Sequence, residues 1–181
     1  MNWGPVAVSA AALLAGAGGC AGFPPAGPSN QPAPPAVADA SRVEMCTILT
    51  SAELAKLGLR VQSRQRINTA GVIGCRWPGQ PYLLSLERAE GSLAGYRAHR
   101  NDPTYVGFTD NTVNGRAGAH FGVDRSGAQC AQLMDGGPVV LSVSVAVPPN
   151  QNPRVVDPCA EALRIAQMIE PRLPKAVPST G

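Results

Sequence analysis

The chain has 181 residues, including 20 Gly, 18 Pro, 2 Trp, 3 Tyr and 3 Phe, with 15% charged residues and a formal net charge of +3. That balance excludes a collagen, which needs Gly at every third position, and a polytopic membrane protein, because no second apolar run of about 20 residues follows the first. The charge is too small and too dispersed for a nucleic-acid binder.

Composition is uneven along the chain, and the N-terminal part sets the expected compartment. Val6 to Ala17 is an unbroken small and apolar run, long enough for the core of a secretory signal and too short to span a bilayer. It leads into Ala17-Gly18-Gly19-Cys20, which resembles a bacterial lipobox, with Ala17 where Leu is usual and no Lys or Arg before Val6. Small residues there let a signal peptidase reach the backbone, and the Cys20 thiol accepts a diacylglyceryl group. Residues 1–19 therefore read as a lipoprotein signal peptide, with Cys20 as an anchor whose two or more acyl chains (palmitate or similar) hold the protein on a membrane surface. The alternative is an ordinary secretory signal with an unmodified Cys20. Residues 20–41 carry Pro24, Pro25, Pro28, Pro32, Pro34 and Pro35, and no charged residue precedes Asp39. Such a segment cannot bury a core and favours extended polyproline, so it reads as a tether reaching roughly 60 Å at full stretch. A folded domain is expected over 42–175, and a disordered tail over 176–181.

Within that domain, Thr50-Ser51-Ala52-Glu53 fits a capping box and Gly58 a stop, which predicts a helix over Ser51–Leu57. Gly71 to Trp77 reads as a strand, and Tyr82, Leu84 and Leu86 alternate with Leu83, Ser85 and Glu87 as a second. A weaker helix is expected over Ser92–His99. Asn114-Gly115 and Asp135-Gly136-Gly137 mark turns between further strands, among them Ala128 to Met134 and the alternating Val139 to Val147. Asp157-Pro158 supplies an N-cap and an N1 proline for a last helix, with Ala162, Leu163, Ala166 and Ile169 on one face and Pro171 at its end. The order predicts an α+β fold, an antiparallel sheet of about five strands with helices packed on one face.

Beyond Cys20 there are four cysteines, Cys46, Cys75, Cys130 and Cys159, without metal or redox spacing. An even count in an exported chain implies two disulfides, and three connectivities are open. Cys46 and Cys159 each lie by a helix start, while Cys75 and Cys130 each lie in a strand. That repetition favours Cys46–Cys75 and Cys130–Cys159.

Chemistry-bearing residues are few. His99 and His120 have no Asp or Glu at ligand spacing, no cofactor or metal is expected, and no serine sits in a Gly-x-Ser-x-Gly turn. Glu87 and Glu90 form the nearest approach to a carboxylate pair. Arg60, Arg64, Arg66 and Arg76 cluster in a stretch, Lys56 to Arg76, that holds no acid, and so are candidates for contact with anionic head groups or cell-wall polymers.

The ordered set Cys46-Thr47-Ile48-Leu49-Thr50-Ser51-Ala52-Glu53-Leu54, Leu57-Gly58, Cys75-Arg76-Trp77, Val113-Asn114-Gly115-Arg116-Ala117, Cys130, Asp157-Pro158-Cys159 and Leu173-Pro174 resembles the actinobacterial lipoprotein family catalogued as domain of unknown function 3558. The likeness spans Glu44 to Pro174. It implies a lipid-anchored, disulfide-bonded surface domain and implies no reaction. The expectation is a non-enzymatic protein on the outer face of the cell membrane, held there by lipid on Cys20, that binds an envelope lipid, a cell-wall polymer or a membrane protein, with no nucleic acid. Two alternatives are an envelope hydrolase using Glu87, Glu90 or His120, and a scaffold or accessory subunit of an envelope complex.

Overall fold

Strands between Gln65 and Ala146 build a sheet that carries a hydrophobic cluster on each of its two faces. The computed structural model describes residues 38–80, 82–149 and 156–175. The expected signal peptide, Cys20, most of the tether and the tail at 176–181 lie outside them. Among the described residues the sheet has seven strands, β1 (Gln65–Thr69), β2 (Val72–Trp77), β3 (Leu83–Glu90), β4 (Val106–Val113), β5 (Arg116–Gly122), β6 (Gln129–Asp135) and β7 (Val139–Ala146). All neighbours pair antiparallel, in the order β1-β2-β3-β7-β6-β5-β4. Three short helices accompany it, α1 (Ser51–Lys56), α2 (Leu93–Ala98) and α3 (Pro158–Ile169), the last running into a 3-10 turn, Glu170–Arg172.

The strand count corrects the expected five to seven. β1 escapes a pattern search because its side chains are mostly exposed and it is an edge strand, where burial imposes no alternation. It turns into β2 through Ala70 and Gly71, both at positive φ (47° and 77°), a hairpin geometry usually announced by Asn-Gly. β4, the other edge, is likewise polar. Polar edges discourage sheet-to-sheet association.

Helix placement also differs from expectation. Leu84 and Leu86 of β3 and Leu141, Val143 and Val145 of β7 point to one face, where they pack with Leu54 of α1 and Ala162, Ile165, Ala166 and Ile169 of α3. Leu93 of α2 packs with Ala119, Phe121, Ala131, Leu133 and Val140, whose parity puts them on the opposite face. Topology gives the reason. The link from β3 to β4 must cross β7, β6 and β5, about 19 Å at the spacing of paired strands, and α2 lies on that crossing.

Local chemistry fixes the helix ends. Thr50 accepts from the Glu53 backbone N–H at 3.2 Å and its own N–H donates to Glu53 Oε2 at 2.8 Å, a complete capping box. Asp157 Oδ1 accepts from the N–H groups of Cys159 and Ala160, and Ser92 caps α2 through the Gly95 N–H. Two disulfides, Cys46–Cys75 and Cys130–Cys159, tie the α1 and α3 ends to β2 and β6, each with a sequence separation of 29. At Gly74 the strands come unusually close: a Cβ there would lie 2.2 Å from the Leu86 carbonyl oxygen and 2.8 Å from Glu87 Cα. Only glycine fits that approach of β2 to β3.

Candidate functional site

The β1–β2 edge carries the arginines singled out in the sequence, and the fold divides them. Arg66 pairs with Cys75 across β1–β2 and shares the α3 side of the sheet, whereas Arg76 pairs with Ser85 on the α2 side. Arg60 and Arg64 bracket a 3-10 turn, Val61–Ser63, just before β1. All four are exposed. Arg60 lines an open groove of about 500 Å3 with Gly58, Pro78, Gly79 and Gln80. Arg64 lines a second, of about 360 Å3, between the Cys46 segment, α1 and Trp77.

Charge compensation is uneven among the arginines, and Arg42, Arg88 and Arg125, like these four, form no ion pair among the described residues. Arg97 and Arg100 share Asp110, Arg164 holds Glu161, Arg172 holds Glu53, and Arg116 holds Glu170. Arg60, Arg64, Arg66 and Arg76 form no ion pair among the described residues. Arg64 donates only to the Cys46 carbonyl, at 3.4 Å, and Arg76 to Gln65 Oε1, at 2.7 Å. The positive charge along this edge is therefore left for solvent or a partner.

Trp77 adds a second feature. Its ring is 1% exposed beneath the same region, in one core with Cys75, and its Nε1–H is the buried side-chain polar atom with no hydrogen-bond partner among the described residues. Leaving such a donor unpaired costs about 1–3 kcal/mol.

The residues of the hydrolase alternative are not brought together. Glu87 faces Ser142 on the α2 side, while Glu90, three residues on, falls on the other side opposite Val139. His120 pairs with Gln132 on the α3 side, three strand spacings from β3, or about 14 Å. Its contact is the Asn111 amide at 3.4 Å, and Asn111 and Gln132 bond each other reciprocally at 2.8 and 2.9 Å. Glu87 makes no hydrogen bond or ion pair among the described residues, and burial holds its carboxyl above the usual range. His99 is exposed at the end of α2.

Two clusters had no sequence signal. Tyr82 donates to Glu161 Oε1 at 2.7 Å, 79 residues away, and burial together with that carboxylate holds the phenol well above its ordinary pKa. Arg116 of β5 meets Glu170 at 3.2 Å and donates to the carbonyls of Asp135 at 2.9 Å and Pro174 at 2.7 Å. Only the Glu161–Arg164 pair, one helical turn apart, lies within reach of a sequence argument.

Fold and edge together define a small disulfide-stapled α+β domain with an uncompensated cationic rim. The family model described as protein of unknown function (DUF3558) matches residues 15–172, and the chain belongs to that family. No curated protein and no solved structure matches the chain.

Proposed function

We propose that this is a non-enzymatic envelope-binding domain, displayed on the outer face of the cell membrane by lipid on Cys20, which uses the β1–β2 edge to contact anionic head groups or anionic cell-wall polymers. The observation that carries the reading is the clustering of unpaired charge: Arg60, Arg64 and Arg66 lie together before and in β1 and hold no carboxylate among the described residues, whereas five arginines elsewhere hold one and Arg42, Arg88 and Arg125, which also hold none, stand apart in the chain. A cationic residue near an anionic membrane surface contributes about 1 kcal/mol. Three acting together favour the anionic surface by about 3 kcal/mol, roughly a hundredfold. The hydrolase alternative gains no such support, since its two carboxylates stand on opposite faces and His120 lies three strand spacings from β3.

The test is sedimentation with vesicles of phosphatidylglycerol against phosphatidylcholine. Binding to the anionic vesicles should fall about a hundredfold in the Arg60→Ala/Arg64→Ala/Arg66→Ala variant and should weaken as salt is raised to 0.5 M. Equal binding to both vesicle types, or an unaltered triple variant, would refute the surface reading. Anchoring is checked apart from binding: Cys20→Ala should move the protein out of the membrane fraction, and its retention there would overturn the lipid anchor.

A further inference from the structure

We infer that the cationic rim is turned away from the membrane that anchors the chain, and that its partner is an anionic cell-wall polymer, a flexible chain bearing phosphodiester or carboxylate groups. The inference rests on the surface reading above and on the anchor at Cys20, and it chooses between the two partners left open there.

The first observation is where the chain enters the domain. Ala40 is fully buried, and its N–H donates to the Gly136 carbonyl in the β6–β7 turn at 2.9 Å. Two further bonds gather the neighbouring turns at this end of the sheet, Glu90 N–H to the Gly71 carbonyl at 3.0 Å and Gly91 N–H to the Pro138 carbonyl at 3.2 Å. The arginines stand at the other end. Arg76 aligns across β3 and β7 with Ser85 and Ser144, five positions along β7 from Val139, a rise of about 17 Å. Arg60 and Arg64 lie beyond the start of β1, where Ser63 Oγ donates to the Pro78 carbonyl in the β2–β3 link at 3.1 Å. An anchor at Cys20 therefore holds the end remote from the rim.

Spacer length adds to this. Eighteen positions separate Cys20 from Ala38, and the six prolines among them favour an extended, semi-rigid spacer, which spans about 56 Å at about 3.1 Å per residue. That is several times the Debye length of about 8 Å in physiological salt. To rest the rim on its own head groups, such a spacer would have to double back along the domain.

The second observation is that the charge straddles the edge. Arg66 is on the α3 side of the sheet and Arg76 on the α2 side, and strand side chains stand roughly perpendicular to the sheet. A flat bilayer lying against one face leaves the other arginine turned away. A flexible polymer passes over the edge and meets both.

The experiment uses the chain from Cys20 onward, coupled through that thiol to a maleimide lipid, the other four cysteines being paired. Vesicles are phosphatidylcholine or phosphatidylglycerol at about 0.15 M salt, and the probes are fluorescent polyglucuronate and poly(glycerol phosphate), with dextran as the neutral control. The expected result is the same polymer affinity on both vesicle types and none for dextran. Affinity should fall about a hundredfold in Arg60→Ala/Arg64→Ala/Arg66→Ala and about fivefold in Arg76→Ala. Deleting residues 22–36 should weaken polymer binding on phosphatidylglycerol alone, because the anionic surface then lies close to the rim. An unchanged affinity in that deletion would overturn the role of the spacer. Polymer binding suppressed about tenfold by phosphatidylglycerol with the spacer intact would overturn the orientation and make the partner a head group. Sedimentation of the uncoupled protein that depends on the three arginines, with no polymer bound to the anchored form, would leave the surface reading standing and remove the polymer. Arginine dependence in neither assay would remove both.

Discussion

Arg116→Ala should be among the most destabilising single substitutions outside the core. The Arg116 and Glu170 side chains are each only 10% exposed and lie 3.2 Å apart, and the same guanidinium also donates to the Asp135 and Pro174 carbonyls. Removing the arginine strands a buried carboxylate and releases the last turn of the chain from β5 and β6. Breaking one partner of a buried pair costs about 3–5 kcal/mol, a large part of a total stability of about 5–15 kcal/mol. With a urea m-value of about 2 kcal/mol/M, the unfolding midpoint should fall by about 1.5–2.5 M. The Arg116→Met/Glu170→Leu double variant isolates the cause, because exchanging the whole pair for apolar groups leaves no orphaned charge and often costs little. Circular dichroism at pH 7 across a urea series reads both. A midpoint loss under about 0.5 M for Arg116→Ala, or a double variant less stable than the single one, would show that the pair is not what holds the C-terminal turn.

Three further outcomes follow from the geometry. Cys130→Ser/Cys159→Ser and Cys46→Ser/Cys75→Ser should each cost about 3.6 kcal/mol by loop entropy and by nearly equal amounts, since both bridges span 29 residues; urea midpoints that differ severalfold in their losses would contradict a loop-length origin. Glu53 is lowered from its ordinary 4.5 to about 2, chiefly by its hydrogen bond with Arg172 and then by the Thr50 N–H, so its contribution is full above about pH 4.5 and is lost as pH falls through about 2. The thermal midpoint of Glu53→Gln should accordingly lie below that of the parent at pH 6 and approach it near pH 2, and a gap independent of pH would refute the linkage. Glu87 is shifted the opposite way by burial. Its contribution is full below the ordinary carboxylate pKa and is lost as pH rises through the raised folded value, so Glu87→Gln should be more stable than the parent at pH 7 and equal to it in mild acid. A Glu87→Gln midpoint below the parent's at pH 7 would show that the carboxylate has a partner.

The two kinds of result have different reach along the chain. Thr50 with Glu53, Asp157 with Pro158, and the alternation through β3 and β7 are legible in the sequence, because caps and strand faces are settled by residues within a few positions of one another. The two cysteine pairs follow from the repeated context of helix start and strand. β1 left no signal, since an exposed edge strand needs no burial pattern and its turn uses Ala70 rather than Asn. α2 was legible as a helix, through Ser92 and the Leu93–Tyr96 spacing, yet its side of the sheet was not, because that depends on which strand β3 lies beside.

By itself, the sequence determined most of the local elements, the uneven composition that separates residues 20–41 from the domain, and the run from Lys56 to Arg76 without an acid, and it favoured one of three cysteine pairings. Tertiary structure decided what those residues mean in space. Apart from Arg164 with Glu161, whether an arginine is compensated depends on carboxylates 10 to 119 residues away, as Arg172 with Glu53 and Arg116 with Glu170 illustrate. For the same reason only the fold could separate Glu87 from Glu90 and His120. Electrostatic and hydrogen-bond pairing act through space between groups that chain order does not relate, and so the β1–β2 edge acquires its uncompensated charge only once the sheet has closed.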